Sequence, residues 1–222
     1  MTYDAHCHGV RADAGDVAGC LASGDPRDDG ALEGLARLHG LHLARGVHPW
    51  WAHEVDTARV LDGLVDVPLD AVGELGLDRL RGDLAAQEAS ARLQLGFADA
   101  RGLPVVLHCV RAHVRLLELL GPTHTGLVHA WTGSAELAVA FVRRGLHVSF
   151  GRALLASPRI AAAAGVVPDD RLLVESDGEA PSPVLTAVIE RLAALRGWSV
   201  DTLVRRTEAN ARALFPRPTG AP

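Results

Sequence analysis

Met1-Thr2-Tyr3-Asp4-Ala5-His6-Cys7-His8 opens the chain. Alternate side chains of an extended strand share a face. Asp4, His6 and His8 are therefore expected on one face of a first strand, with Ala5 and Cys7 on the other. Two imidazoles and a carboxylate converging at a strand's C-terminal end begin a metal site, because neutral imidazole is the commonest protein ligand for zinc and similar ions. The same residues also fit a polar strand end without a ligand, so the rest of the chain decides.

Outward from that stretch, apolar runs keep ending in His, Glu or Asp. A strand is expected over Asp16–Ala22, then a helix from Asp25-Pro26 to about Leu38. The next strand, Leu41–Val47, ends in Gly46-Val47-His48-Pro49, and a helix follows over Ala52–Val65. Leu69–Val72 is a strand leading into Gly73-Glu74-Leu75-Gly76-Leu77-Asp78, and the longest helix runs over Leu84–Arg101, stopped by Gly102. Leu103–Leu107 ends at His108, and a helix through Leu116–Leu120 leads to Thr125–His129. Ser134 caps a helix to about Arg144, Leu146–Phe150 is a strand, and Arg171–Val174 runs into Glu175-Ser176-Asp177. Helices over Pro183–Arg196 and Val200–Leu214 close the chain. Continuous apolar strands alternating with helices mean a parallel sheet covered on both faces. Eight such units predict a closed (β/α)8 TIM barrel, one domain over residues 1–215 with a frayed tail from Pro216 to Pro222.

Composition narrows the classes of function. The 222 residues carry a net charge of -5, which argues against a strongly basic surface for gripping long duplexes. All 22 basic residues are arginine. Without lysine there is no Schiff base, no P-loop lysine and no carboxylated lysine bridging two metals. Three cysteines are too few for a disulfide framework and are read as reduced and structural. Neither a membrane span nor a signal peptide is indicated, so a cytoplasmic protein is expected.

In a parallel barrel the C-terminal strand ends meet at one face, and that face hosts the chemistry. His6, His8, His48, Glu74, His108, His129 and Asp177 all fall there. The series Asp4-x-His6-x-His8, Gly46-Val-His48-Pro49, Gly73-Glu74-Leu-Gly-Leu-Asp78, Pro104-Val-Val-Leu-His108, His129-Ala-Trp-Thr-Gly133 and Glu175-Ser-Asp177 resembles the TatD-type metal-dependent hydrolases, often described as deoxyribonucleases, of the amidohydrolase-like barrels. Asn210-Ala-Arg-Ala-Leu-Phe215 is similar to that family's C-terminal helix. The resemblance implies that His6, His8 and Asp177 bind one divalent ion, that His108 and His129 bind a second, and that Glu74 bridges them. It places Asp4 behind the ligands, holding an imidazole tautomer, and His48 as a substrate contact or a structural residue. His108-Cys109-Val110-Arg111 and Asp177-Gly178-Glu179 depart from the family pattern, and the first connection is short, which marks a compact, divergent branch.

Two ions, whether zinc, manganese, iron or magnesium, would activate water and stabilise charge on a phosphoryl group. Asp177 is the expected proton acceptor, with Glu74 the second catalytic carboxylate. Arg111, Arg115 or Arg152 would bind phosphate, and Trp50, Trp51 or Trp131 would stack on a base. The expectation is a phosphodiesterase acting on DNA or RNA ends, as a monomer or weak oligomer. Two alternatives stay open: the same centre hydrolysing an amide, ester or aminoacyl bond, and a metal-binding accessory component with little activity.

Overall fold

The computed structural model describes residues 2–14, 17–27 and 30–215. Asp16, where the second strand was expected to begin, and the tail from Pro216 lie outside the described residues. In chain order the elements are β1 (Tyr3–Cys7), β2 (Gly9–Val10), β3 (Ala18–Ser23), α1 (Ala31–His39), β4 (His42–Arg45), α2 (Thr57–Gly63), β5 (Ala71–Asp78), α3 (Leu84–Arg101) and β6 (Val105–Val110). Then come α4 (His113–Leu119), β7 (Gly126–Val128), α5 (Ala135–Arg143), β8 (Leu146–Phe150), α6 (Pro158–Val166), β9 (Leu172–Val174), β10 (Glu179–Ala180), α7 (Pro183–Arg196) and α8 (Val200–Leu214). Eight parallel strands, in the order β1-β3-β4-β5-β6-β7-β8-β9, make the expected TIM barrel.

The barrel closes where β9 returns to β1. Asp177 N–H donates to His6 O at 3.1 Å and His8 N–H to Gly178 O at 2.8 Å. The short β2 and β10 continue this seam in parallel. The Asp4 carboxylate staples it from the side, accepting from Ser176 N–H at 2.9 Å.

Local signals set the helix ends. Asp83, Ser134, Ser157, Ser182 and Ser199 each accept a backbone N–H of the first turn, and Pro158 and Pro183 open α6 and α7, where a missing N–H costs nothing. The whole of α6 was absent from the expectation, although Ser157-Pro158 before an alanine-rich run is a start signal. The helix expected from Pro26 begins at Ala31 instead, because Asp25 accepts from Arg27 N–H in a local turn. Likewise α2 begins at Thr57 rather than Ala52. Trp51 and Glu54 donate back to His48 O and Trp51 O in successive turns, and Asp56 then caps the helix by accepting from Arg59 N–H.

Side chains sort into an outer layer under the helices (Val72, Leu75, Leu77, Leu107, Val128, Val148, Val174) and an interior rich in small residues (Ala5, Ala22, Ala44, Ala71, with Val106, Leu127 and Leu173). Cys7 and Cys109 both face outward, as expected. Strict alternation fails at two places. Asp4 pairs with Gly19 but Cys7 with Leu21, so β1 carries one extra residue between them; Val72 pairs with Val105 but Leu75 with Leu107, an identical slip in β5. A bulge of this kind re-aims the side chains that follow it. The expectation that Asp4 shares a face with His6 and His8 is corrected accordingly: Asp4 is turned to the seam, and the shift brings His6 inward. In β5 the slip sits between Gly73 and Glu74, and the close neighbour strand explains the glycine, since a Cβ at Gly73 would lie 2.5 Å from Val106 O.

Among the described residues no helix is long and apolar enough to cross a membrane. Two histidines away from the strand ends are held neutral. Burial, reinforced by Arg159 and Arg171 respectively, pushes His113 and His147 down to about 4. The unfolded chain, with histidines near 6.5, binds those protons first. Stability from this source is therefore complete above about pH 6.5 and is lost as pH falls toward 4, by up to ~1.4 kcal/mol per pH unit for each histidine. Urea unfolding between pH 7 and 4.5 should show a shallower decline for His147→Gln than for the parent. Equal slopes would mean that His147 is protonated in the fold.

Candidate metal centre

Glu74 is 4% exposed at the mouth of the barrel, and its two oxygens face different groups. Oε1 lies 3.5 Å from His6 Nε2 and 3.5 Å from His8 Nε2. Oε2 lies 3.0 Å from His129 Nε2 and 3.7 Å from His108 Nδ1. Asp177 completes the first group, its Oδ1 3.1 Å from His8 Nε2 and 3.5 Å from His6 Nε2. Ring nitrogens also crowd each other, with His6 Nε2 to His8 Nε2 at 3.3 Å and His108 Nδ1 to His129 Nε2 at 3.0 Å. Basic nitrogens and carboxylate oxygens packed this tightly form groups that could hold a cation.

The groups behind each ring differ, and for His8 a hydrogen bond shows which nitrogen carries the lone pair. His8 Nδ1 lies 3.1 Å from Ala22 O, which can only accept, so Nδ1 holds the proton and Nε2 is free to ligate. His129 Nδ1 faces Glu175 Oε1 at 3.5 Å and His108 Nε2 faces Asp78 Oδ2 at 3.6 Å, so each ring has a carboxylate behind it at charge-contact distance, without a hydrogen bond. His6 stacks on His129 at 4.2 Å between ring centroids. His48 differs. Its Nδ1 accepts from Trp50 N–H at 3.2 Å, so the proton sits on Nε2, which points at Glu74 Oε2 from 3.6 Å. In that tautomer Nε2 is a hydrogen-bond donor, and with Glu74 and His108 it forms a third group whose nitrogen and oxygen atoms lie within 4.8 Å of one another.

The site's charges are matched. Burial raises the Glu74 carboxyl, but the imidazoles of His6 and His129 outweigh it and hold the group well below the usual range. Burial lowers His129, yet Glu74 and Glu175 hold it well above an ordinary histidine. Asp177 is lowered well below normal despite burial, by hydrogen bonds from His6 and His8. Burial takes His48 down to about 3, in keeping with the neutral ring. Carboxylates that hold protons on imidazoles in this way will equally hold a divalent cation in place of those protons.

Backbone strain concentrates at the same strand ends. Arg111, Ala130 and Asp177 take left-handed conformations, with φ of 54°, 44° and 53°, after β6, β7 and β9. Such conformations persist in non-glycine residues only where the surroundings enforce them. A further strand end is held from outside the barrel: buried Gln94 brackets Val47, accepting its N–H at 2.7 Å and donating to its C=O at 2.9 Å, which fixes the turn carrying His48.

A cleft of about 370 Å³ opens over this cluster, lined by His8, His48, Glu74, His108, His129 and Asp177 together with Ser23, Gly24, Asp25, Trp50 and Trp51. Several expected substrate contacts lie elsewhere. Trp131 is 1% exposed and packs edge-on against His113 and Phe141, so it is a core residue and not a base platform. Arg111 is exposed past the end of β6, outside the residues lining the cleft. Arg115 is held by Glu88 and Glu118. Arg152 is exposed on a 3-10 turn, also outside the lining. Asp4 touches backbone at the seam and no imidazole, contrary to expectation. Asp78 and Glu175, not Asp4, are the carboxylates that stand behind imidazoles. Their signal was position, since each lies an even number of residues from a ligand in the same strand-end motif.

A parallel barrel that gathers imidazoles around a buried carboxylate at its C-terminal face defines a metal-dependent hydrolase. The family model "TatD related DNase" matches residues 3–216. A protein of Erwinia amylovora named 3'-5' ssDNA/RNA exonuclease TatD is 31% identical over 92% of this chain and 91% of its own length. The protein of that name from Cronobacter sakazakii is 32% identical over 93% of this chain and 89% of its own. The crystal structure of a TatD homologue from Escherichia coli K12 superposes with a TM-score of 0.83 at 25% identity, covering 98% of each chain. The chain belongs to the TatD-related DNase family of metal-dependent hydrolases.

Glu175 supplies a test of the outer layer. Replacing it by glutamine keeps the shape but removes the charge behind His129, so divalent-ion affinity measured by calorimetric titration should fall about 10- to 100-fold with the circular dichroism unchanged. Parent-like affinity would show that His129 needs no such support.

Proposed function

We propose that this chain is an exonuclease that removes nucleotides from the 3' end of single-stranded DNA or RNA, using two divalent cations held by His6, His8 and Asp177 on one side and by His108 and His129 on the other, with Glu74 between them. The observation that carries the reading is the division of Glu74: each oxygen faces its own set of imidazoles. The names of its relatives support the substrate and the polarity. All the ligands come from one chain, which supports action as a monomer, and three free buried cysteines support a reducing, cytoplasmic setting.

When bound, such a pair of cations polarises water and stabilises charge on the attacked phosphoryl group. The chain's own residues do the rest. Asp177 is the carboxylate of the cluster most open to the cleft, its side chain 39% exposed, and it accepts the attacking water's proton. His48, neutral and protonated on Nε2, donates to a non-bridging phosphate oxygen and leaves the Glu74 charge to the cations. The glutamate itself is too enclosed to meet substrate.

Asp177→Asn retains size and loses both charge and proton acceptor. With metal-loaded protein and oligonucleotides labelled at the 5' or the 3' end, the parent should shorten strands from the 3' end, and the variant's kcat should be lower by at least ~100-fold. Activity within a few-fold of the parent would remove Asp177 from the reaction, and release of the 5' label first would overturn the polarity.

A further inference from the structure

The cleft has lining residues that the metal centre does not use. Trp50 is 37% exposed at its rim, and its indole N–H donates to Asp78 Oδ2 at 2.7 Å, which fixes the ring. The ring meets His48 at right angles, with centroids 4.7 Å apart, so it sits directly beside the expected phosphate donor. The Arg81 guanidinium is not itself among the residues lining the cleft, but unlike Arg111 and Arg152 it is carried by one that is, lying over the Trp50 indole 3.9 Å from the centroid. Among the described residues no carboxylate pairs with Arg81, whereas Arg27, which lies over Trp51 at 4.4 Å, is held by Asp25 through contacts of 2.9 and 2.6 Å. The two tryptophans therefore differ in what they offer. Trp51 carries a neutralised cation, and Trp50 carries an uncompensated one.

We infer that Trp50 and Arg81 form the subsite for the strand's terminal nucleotide: its base stacks on the indole and guanidinium, and the N–H groups of Arg81 take the neighbouring phosphate. This rests on the exonuclease reading given above. Bases stack on tryptophan and on guanidinium planes alike, and neither contact reads sequence. An arginine already lying on an aromatic ring has lost much of its freedom before the ligand arrives, so less entropy is lost on binding. A local cation also supplies what the overall charge of -5 withholds from a polyanion. The subsite is specific for a nucleotide over a bare phosphodiester.

Arg81 is a clean handle, because its backbone contacts to Asp78 O and Gln87 Nε2 survive truncation of the side chain. The test measures kcat/KM for Arg81→Ala and the parent on a single-stranded oligonucleotide with an ordinary 3' nucleotide, on one with an abasic 3' end, and on a small aryl phosphodiester. In the parent, loss of the terminal base should lower kcat/KM about 5- to 150-fold, the range for one stacked base. In Arg81→Ala that difference between the ends should shrink at least 3-fold, and the loss on the ordinary oligonucleotide should exceed the loss on the aryl ester at least 5-fold. Cleavage of the ordinary strand with no penalty for the abasic end, or equal losses on all substrates, would overturn the subsite while leaving the nuclease reading intact. A parent that hydrolyses the aryl ester and no oligonucleotide would overturn both.

Discussion

A carboxylate buried at the centre of the barrel mouth governs this molecule. An ionised group with almost no solvent access is strongly unfavourable unless it is paired and its oxygens are satisfied. Glu74 is faced by imidazoles from both sides at once, by His6 and His8 at one oxygen and by His48, His108 and His129 at the other. No element could move without exposing that charge to an unpaired environment, which ties β1, β5, β6 and β7 into one constellation. The bulge that turns Glu74 inward depends on glycine at position 73, since any side chain there would strike Val106 of β6. The site's chemistry and the strand packing are thus a single constraint.

Around this core His8, His108 and His129 each have a polar group behind the ring that does not itself reach the centre. Ala22 O accepts from the outer nitrogen of His8, and the Asp78 and Glu175 carboxylates stand 3.6 and 3.5 Å behind His108 and His129. His48 is held the opposite way round, by a backbone N–H, and presents a proton instead. One residue type thereby does two jobs, distinguished only by what stands behind the ring. The cost is visible as strain at Ala130 and Asp177, directly beside these ligands.

Much of this was legible in the sequence. The alternation of apolar runs and amphipathic helices, each run ending in His, Glu or Asp, pointed to the barrel, and the same residues meet at its mouth. What alternation could not show was the extra residue in β1 and in β5, because a bulge is set by the register against the partner strand, which a lone glycine such as Gly73 permits without announcing. For that reason Asp4 was placed with the imidazoles and lies at the seam instead. Trp131 followed a ligand motif and looked like a rim residue, yet the left-handed Ala130 turns the chain and the indole packs into the core against Phe141. Which arginines are free was equally hidden, since Glu88 lies far from Arg115 in sequence and beside it in the fold.

The central claim is that Glu74 stands between two cations. Crystals grown with manganese or zinc and measured at the metal's absorption edge should show two anomalous peaks about 3.5 to 4 Å apart, one against His6, His8 and Asp177 and the other against His108 and His129, with a Glu74 oxygen on each. A single peak, or a second one bound through His48 in place of His108 and His129, would contradict it.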